Sequence, residues 1–567
     1  MNDAGTDKPD IVLAYVKQCK MALLILAGLL IGCAAGPQNP ESARQSEAEQ
    51  VMVEARAVAE TGDYSRAVAL FMEALAMDPD PAVARQAAQL ASAVDDWASA
   101  SEAVERWLEL EPGSPQARQI ATVAALRQGR IDRGVELLHG ALDDEELPMD
   151  WATAVALVGA SGSDDIANSA LERLIDQAGD FEQGYEDYLR SRLAWQLERR
   201  ERAFELAERA LQARPDHERA LWAARLAEAG NLRERALSYY RQAAAFDPED
   251  RNAAMAEAEL LEELGRGEQA LNVLDRLPVD PEVLYARGML QQQLGRLAAA
   301  GVTWHRMASL APERVGGQHA WLTAVLAEIL ELDDEAIEWY ERVEGELATR
   351  ADLRRAALLA EHDGLEQARA LLAGVRAEAD AELAEQAWLV EAQILSQNGR
   401  NEEALALLGE ALTQLPGSAA LLYARAMAAV NKDNLSLAEQ DLRTIIQNDP
   451  ENAMALNALG YTLAERTDRQ REALRLIETA LEQAPENPAI LDSMGWVLFK
   501  LGRAEEGLPY LRRAVDAEPH PEMIAHLVEV LWTLDQRDEA RALVARTRSE
   551  MGGEEVYAAT LERIGLD

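Results

Sequence analysis

"ALNALGYTLAERTDRQREALRLIETALEQAPEN", residues 455–487, is followed almost at once by a variant of itself, "AILDSMGWVLFKLGRAEEGLPYLRRAVDAEPH", residues 489–520. Each copy carries a proline near its end, Pro485 or Pro519. Twelve residues before that proline stands a small residue, Ala473 or Gly507, and five before it another, Ala480 or Ala514. Small side chains at fixed levels let two helices approach closely, and Ile477 and Leu511 between them fill the remaining space. The unit that satisfies this pattern is helix–turn–helix. Proline follows the second helix because it cannot continue one.

The pattern runs the length of the chain. Short glycine turns recur at Gly62, Gly129, Gly230, Gly265, Gly295, Gly399 and Gly502, with gaps of 67, 101, 35, 30, 104 and 103, most of them near multiples of 34. Prolines at 79, 112, 215, 248, 312, 416, 450, 485 and 519 share that period. The small residues twelve before them are Ala67, Ala100, Ala203, Ala236, Ala300, Ala404, Ala438, Ala473 and Gly507. Two residue types with one period indicate internal repeats. Each glycine is expected to end a first helix in the left-handed conformation that glycine adopts at least cost. No long alternating strand pattern appears.

These residues resemble the tetratricopeptide repeat. The resemblance covers roughly residues 51–548, as about 13 to 15 units, and blurs near 143–185 and 346–385, where the proline ladder lapses. It implies an all-α solenoid, a right-handed superhelix of stacked helix pairs. The expected boundaries are a repeat body over 49–550 and a C-terminal capping helix within 551–567, where "EEVYAATLERIGL" reads as the polar-faced cap that solenoids need.

At the other end, "ALLILAGLLIGC", residues 22–33, is an apolar run that stops at a cysteine. Spanning a bilayer takes roughly 20 apolar residues, and this run is the length of a signal-peptide core. Lys17 and Lys20 supply the basic start, and Leu30-Ile31-Gly32-Cys33 resembles the bacterial lipobox, although the leading segment also carries Asp3, Asp7 and Asp10. The resemblance implies a signal peptide over 1–32, acylation of Cys33, and a flexible tether within 33–48. Ala34 stands where an aspartate resembles an inner-membrane retention signal, which points to the outer membrane, with the chain facing the periplasm.

Composition narrows the function. The chain of 567 residues has 100 Asp and Glu against 55 Lys and Arg, a formal charge of −45. Such a chain repels phosphate backbones, which argues against nucleic-acid binding. Only Cys19 and Cys33 are present, so the body beyond residue 33 has no disulfide, zinc thiolate or cysteine nucleophile. Packing alone must hold it.

Catalytic patterns are scarce. The seven histidines (139, 217, 305, 319, 362, 520 and 526) form no HExxH, and His520 and His526 are poorly spaced for two ligands on one helix face. Ser161 in "GASGS", 159–163, lacks the strand–turn–helix setting of a nucleophile elbow. No phosphate-binding loop or dinucleotide fingerprint occurs. The expectation is a non-enzyme with no cofactor, no metal and no small-molecule substrate.

Stacked helix pairs expose their first helices on a concave surface suited to partner proteins. Repeat position assigns Asn457, Tyr461, Asp492, Trp496 and Lys500 to that inner face, where an Asn–aromatic–Lys set would bond a peptide backbone and stack on side chains. The alternative for Tyr461 and Trp496 is to fill the space between repeats. The overall plan resembles outer-membrane lipoprotein adaptors of carboxyl-terminal processing proteases (the LbcA type, with the shorter NlpI as a functional analogue). That resemblance implies a scaffold binding a periplasmic protease and its cell-wall hydrolase substrates. The competing readings are an assembly factor for an envelope complex, such as a pilotin or export-machine scaffold, and an enzyme with a site within 143–185.

Overall fold

The computed structural model describes residues 40–144, 148–179, 181–248, 250–310, 316–362, 364–551 and 554–566. Among them are fifteen consecutive helix pairs, a final single helix, one short 3-10 turn and no strand. The expected all-α repeat fold is present. No helix among the described residues is long and apolar enough to cross a membrane. The signal peptide, Cys33 and the start of the expected tether lie outside the described residues. From Pro40 to Glu60 the chain is helical, so the tether stretch is helix from Pro40 onward. Proline fits the first turn, where its missing N–H has no intrahelical acceptor to serve, and the Glu-, Ala- and Gln-rich sequence behind it favours helix.

The chain divides into two compact units, Met1–Pro278 and Val279–Asp567. In the first, one core runs from Ala55 to Ala121 and another from Val123 to Ala253. In the second, cores follow one another from Leu284 to Leu358, Leu353 to Ile394, Trp388 to Leu498, and Leu508 to Leu561. Each core lies between neighbouring repeats, as one-dimensional stacking requires.

Local chemistry starts and stops many of the helices. Asp63, Asp80, Asp96, Ser114, Asp216, Ser418, Asn452 and Asn487 cap helix N-termini with side-chain oxygens that accept backbone N–H groups. Second helices end just before the ladder prolines, as Gln470–Gln483 does before Pro485. All nine small residues twelve before those prolines are buried. Two glycines mark close helix–helix approaches. A Cβ on Gly460 would fall 2.5 Å from Ile477 Cγ1, and one on Gly495 would fall 2.5 Å from Leu511 Cγ and 3.0 Å from Gly507 O.

The turn residues need one correction. Gly230 does not adopt the left-handed conformation; Asn231, at φ 56°, does. Asp95, Glu198, Glu331, Asp433 and Asp535 do the same where the glycine ladder has gaps, with φ between 57° and 61°. With Gly62, Gly129, Gly162, Gly265, Gly295, Gly399 and Gly502, the left-handed turn recurs through both units. The blurred stretches contain helix pairs as well: Trp151–Gly159 with Asp164–Ala178, and Ala348–Glu361 with Leu365–Glu378. "GASGS" is one of these turns. Ser161 is buried and donates to the Ser163 carbonyl at 3.2 Å, Gly162 takes φ 77°, and Ser163 caps the next helix.

Candidate partner-binding cleft

The seven helices that close the second unit are α1 (Ala453–Arg466), α2 (Gln470–Gln483), α3 (Pro488–Lys500), α4 (Ala504–Ala517), α5 (Pro521–Thr533), α6 (Arg537–Met551) and α7 (Glu555–Ile564). The first helices α1, α3 and α5, together with α7, enclose a cleft of about 250 Å³. Tyr461, Trp496 and Glu529 contribute to its wall from successive first helices, each six residues before the end-of-helix turn. Val556, Thr560 and Arg563 close it from α7.

A polar network ties the three first helices together. The Trp496 indole N–H donates to Glu465 Oε2 at 2.7 Å. Lys500 Nζ reaches the same oxygen at 2.9 Å and lies 4.9 Å from the Trp496 ring centroid. The His526 imidazole stacks on the indole, with centroids 3.9 Å apart and planes at 17°. Its Nδ1 lies 2.9 Å from Asp492 Oδ2. Tyr461 donates its hydroxyl across two repeats to Glu522 Oε1 at 2.5 Å, and its ring centroid is 6.1 Å from that of His526. Arg563 bonds both oxygens of Glu529.

Burial and charge set the protonation of these groups. Burial pushes the Tyr461 phenol well above its ordinary value, and the neighbouring Glu522 carboxylate adds to the shift, so Tyr461 remains a donor. Burial also pushes the Glu465 carboxyl up, but the indole N–H and the Lys500 ammonium outweigh it and hold Glu465 below the usual range. The Glu529 carboxylate holds the Arg563 guanidinium above its ordinary value.

The five residues expected on the inner face divide into three groups. Tyr461 is half-buried and on the cleft wall. Trp496 and Lys500 meet around Glu465, but Trp496 is only 4% exposed and its ring is already stacked on His526. Asn457 and Asp492 are buried, and each keeps one side-chain oxygen with no hydrogen-bond partner. Trp496 therefore packs between repeats and lines the cleft at once. Glu465, Glu522, His526, Glu529 and Arg563 were not anticipated. Register does not single out His526, which stands at the position of Ser493 in the preceding repeat and reaches back to Asp492. His520 has a different role: its Nδ1 accepts the Glu522 N–H and caps α5.

Comparison with known proteins finds tetratricopeptide repeats in part of the chain. Residues 423–488 and 462–521 match the tetratricopeptide-repeat profile. A TPR repeat-containing protein of Pseudomonas aeruginosa is 43% identical over 179 residues, which is 32% of this chain and 30% of that relative's length. Among solved structures, a thermophilic TPR protein of Thermus thermophilus covers 32% of this chain and 100% of its own, at 23% identity and a TM-score of 0.30. A tetratricopeptide-repeat protein of Parabacteroides merdae covers 44% of this chain and 98% of its own, at 14% identity and a TM-score of 0.36.

Proposed function

We propose that this chain of tetratricopeptide repeats is a non-enzymatic scaffold, held at the outer membrane by an acylated Cys33 and facing the periplasm, that brings a carboxyl-terminal processing protease together with its cell-wall hydrolase substrates. Repeats of this kind bind protein partners, and the observation that carries the binding is the cleft between α1, α3, α5 and α7. Its wall offers the Tyr461 ring, the Glu522 and Glu529 carboxylates, and the Arg466 and Arg563 guanidiniums, a mixed set suited to the polar groups and side chains of a peptide. The resemblance of Leu30–Cys33 to a lipobox supports the anchor. An anchor would confine both partners to one surface and raise their effective concentration without any new contact.

The test is reconstitution. The full chain, a periplasmic processing protease with a PDZ domain and a cell-wall hydrolase are purified and combined. Hydrolase degradation is expected to accelerate when the full chain is present, and Tyr461→Ala to weaken capture of one partner while far-UV helicity is kept. An unchanged degradation rate with no binding of either component would overturn the adaptor reading in favour of the assembly-factor one. Separately, Cys33→Ser is expected to move the chain into the soluble periplasmic fraction or block its processing; normal processing with membrane retention would overturn the anchor.

A further inference from the structure

We infer that the cleft between α1, α3, α5 and α7 takes a basic side chain of a partner segment, a lysine or arginine, seated on the Tyr461 ring and paired with Glu522. The inference rests on the reading of that cleft as the place where a partner is held, and adds the chemistry it selects.

Three carboxylates stand on the cleft wall, Glu465 of α1 and Glu522 and Glu529 of α5. Two of them already hold a cation of this chain. Glu465 takes Lys500 Nζ at 2.9 Å, and Glu529 takes Arg563 through both oxygens. Glu522, half-buried, pairs with no Lys or Arg among the described residues; its Oε1 accepts only the neutral Tyr461 phenol, at 2.5 Å. Arg466, the other guanidinium on the cleft, is exposed at the end of α1 and forms no ion pair with any of the three. A half-buried carboxylate answered by one neutral donor keeps most of its charge uncompensated, and a cation is the partner that stabilises it.

A second observation lies behind the same wall. The Asp492 side chain is only 7% exposed; it bonds His526 Nδ1 through Oδ2, and its Oδ1 has no hydrogen-bond partner. Asn457, one turn before Tyr461 on α1, is buried with its Oδ1 unpartnered as well. Burial raises the Tyr461 phenol most, and the charges of Glu522, Asp492 and Glu465 raise it further, so three carboxylates act on this one side chain. Buried acceptors short of donors, beside a carboxylate short of a cation, put negative potential where Tyr461 meets Glu522.

The remaining contacts suit a long basic side chain. The cleft, about 250 Å³, has room for one. Its alkyl stem meets the Tyr461 ring and Val556, an apolar side chain left 52% exposed on the cleft wall. Its charged end meets the Glu522 carboxylate, and an aromatic face beside that carboxylate adds to the attraction. Lys500 shows the same chemistry inside the chain, its ammonium held by the Glu465 carboxylate and 4.9 Å from the Trp496 ring centroid. An acidic side chain in the same place would face Glu522 with the Arg563 donors already given to Glu529.

The test uses the full chain and a ten-residue peptide of Ala, Leu and Ser with one central Lys, blocked at both ends and carrying a neutral fluorophore, so that the ammonium is its only charge. Peptides with Arg, norleucine or Glu in that place are compared by anisotropy at physiological salt, which screens diffuse attraction to a chain of −45. The Lys and Arg peptides are expected to bind, and the norleucine and Glu peptides to bind about tenfold or more weakly. Glu522→Gln keeps an acceptor for the Tyr461 phenol but removes the charge. It is expected to weaken Lys-peptide binding about tenfold, with circular dichroism showing that the variant folds. Glu410→Gln removes the same charge from an exposed position on a second helix outside the cleft, and is expected to change little. Norleucine binding as tight as Lys, no binding of either basic peptide, or equal effects of the two substitutions would overturn the proposal. The cleft itself is judged separately, by Tyr461→Ala in the reconstitution: unchanged capture there rejects the cleft, whereas the outcomes here reject only the basic side chain.

Discussion

The Trp496 indole of α3 lies face to face on the His526 imidazole of α5, 3.9 Å between centroids. One contact thus joins consecutive repeats, and the indole N–H extends it to Glu465 on α1. Removing the indole opens a cavity, leaves Glu465 short of a donor and uncovers His526. Trp496→Ala is expected to cost about 3–5 kcal/mol, and Trp496→Phe, which keeps a ring but loses the N–H, about 1–3 kcal/mol. Chemical denaturation followed by far-UV circular dichroism measures both. A loss well below 1 kcal/mol for Trp496→Ala would show that the stack is not holding the repeats together. Hydrogen exchange should localise the loss to α1, α3 and α5, because each repeat contacts only its neighbours.

Gly495 illustrates a steric limit within one repeat. A Cβ there would meet Leu511 Cγ at 2.5 Å and the Gly507 carbonyl oxygen at 3.0 Å, and the carbonyl belongs to helix backbone that cannot rotate away. Gly495→Ala is therefore expected to destabilise by about 1–3 kcal/mol through overpacking, even though alanine is the better helix former. Gly374, with nothing within 4 Å of a Cβ, supplies the control. Gly374→Ala should be neutral or slightly stabilising in the same denaturation assay, and equal effects at both sites would refute the steric account.

The repeat was legible because its determinants are local: prolines past second helices, small residues at helix crossings, glycines in turns. What escaped has physical reasons. Asp and Asn tolerate the left-handed region as a minority choice, so Asp95, Asn231, Asp433 and Asp535 carry no signal as plain as glycine, and Glu198 and Glu331 carry less. Tyr461 and Trp496 on the cleft wall, and Lys500 beside Glu465, could be placed by register alone. Their partners could not be found from local pattern, because Trp496 and Glu465 are 31 residues apart and His526 and Asp492 are 34 apart. His526 is six residues from His520, yet its partner Asp492 lies on the preceding first helix. Arg563 comes from α7, outside the periodic pattern.

Acid is expected to loosen the stacking of second helices. Glu439 accepts two hydrogen bonds from Arg469, at 2.8 and 2.9 Å, and one from Arg443 at 2.8 Å, while both arginines also bond Glu472. The Arg469 hydrogen bonds, against partial burial and with help from Arg443, hold the Glu439 carboxyl down at about 2. A folded-state value below the ordinary Glu value of about 4.3 means that ionised Glu439 contributes stability above about pH 4 and loses it as pH falls toward 2. Glu439→Gln should therefore lower the urea midpoint near neutral pH and reduce the further drop on acidification. If the variant's midpoint declines between about pH 5 and pH 3 as steeply as the wild type's, this network is not an acid-sensitive element.

The last helix is held to the cleft by charge as well as by packing. Tyr557 and Leu561 of α7 are buried in the terminal core, and Arg563 bonds both oxygens of Glu529 on α5. The two partners differ in environment: the Glu529 side chain is 12% exposed and that of Arg563 56%. An ion pair with one end in water contributes little by itself, but removing the exposed partner leaves a nearly buried carboxylate unpaired. Arg563→Ala is expected to cost about 1 kcal/mol and to speed amide exchange in α7, while the neighbouring α5 amides change less. Pairing it with Glu529→Gln removes the orphaned charge, so the double variant should recover most of the lost protection. If Arg563→Ala leaves α7 exchange unchanged, apolar packing by Tyr557 and Leu561 alone holds the helix. If the double variant exchanges as fast as Arg563→Ala, the loss comes from the missing side chain rather than from the stranded carboxylate.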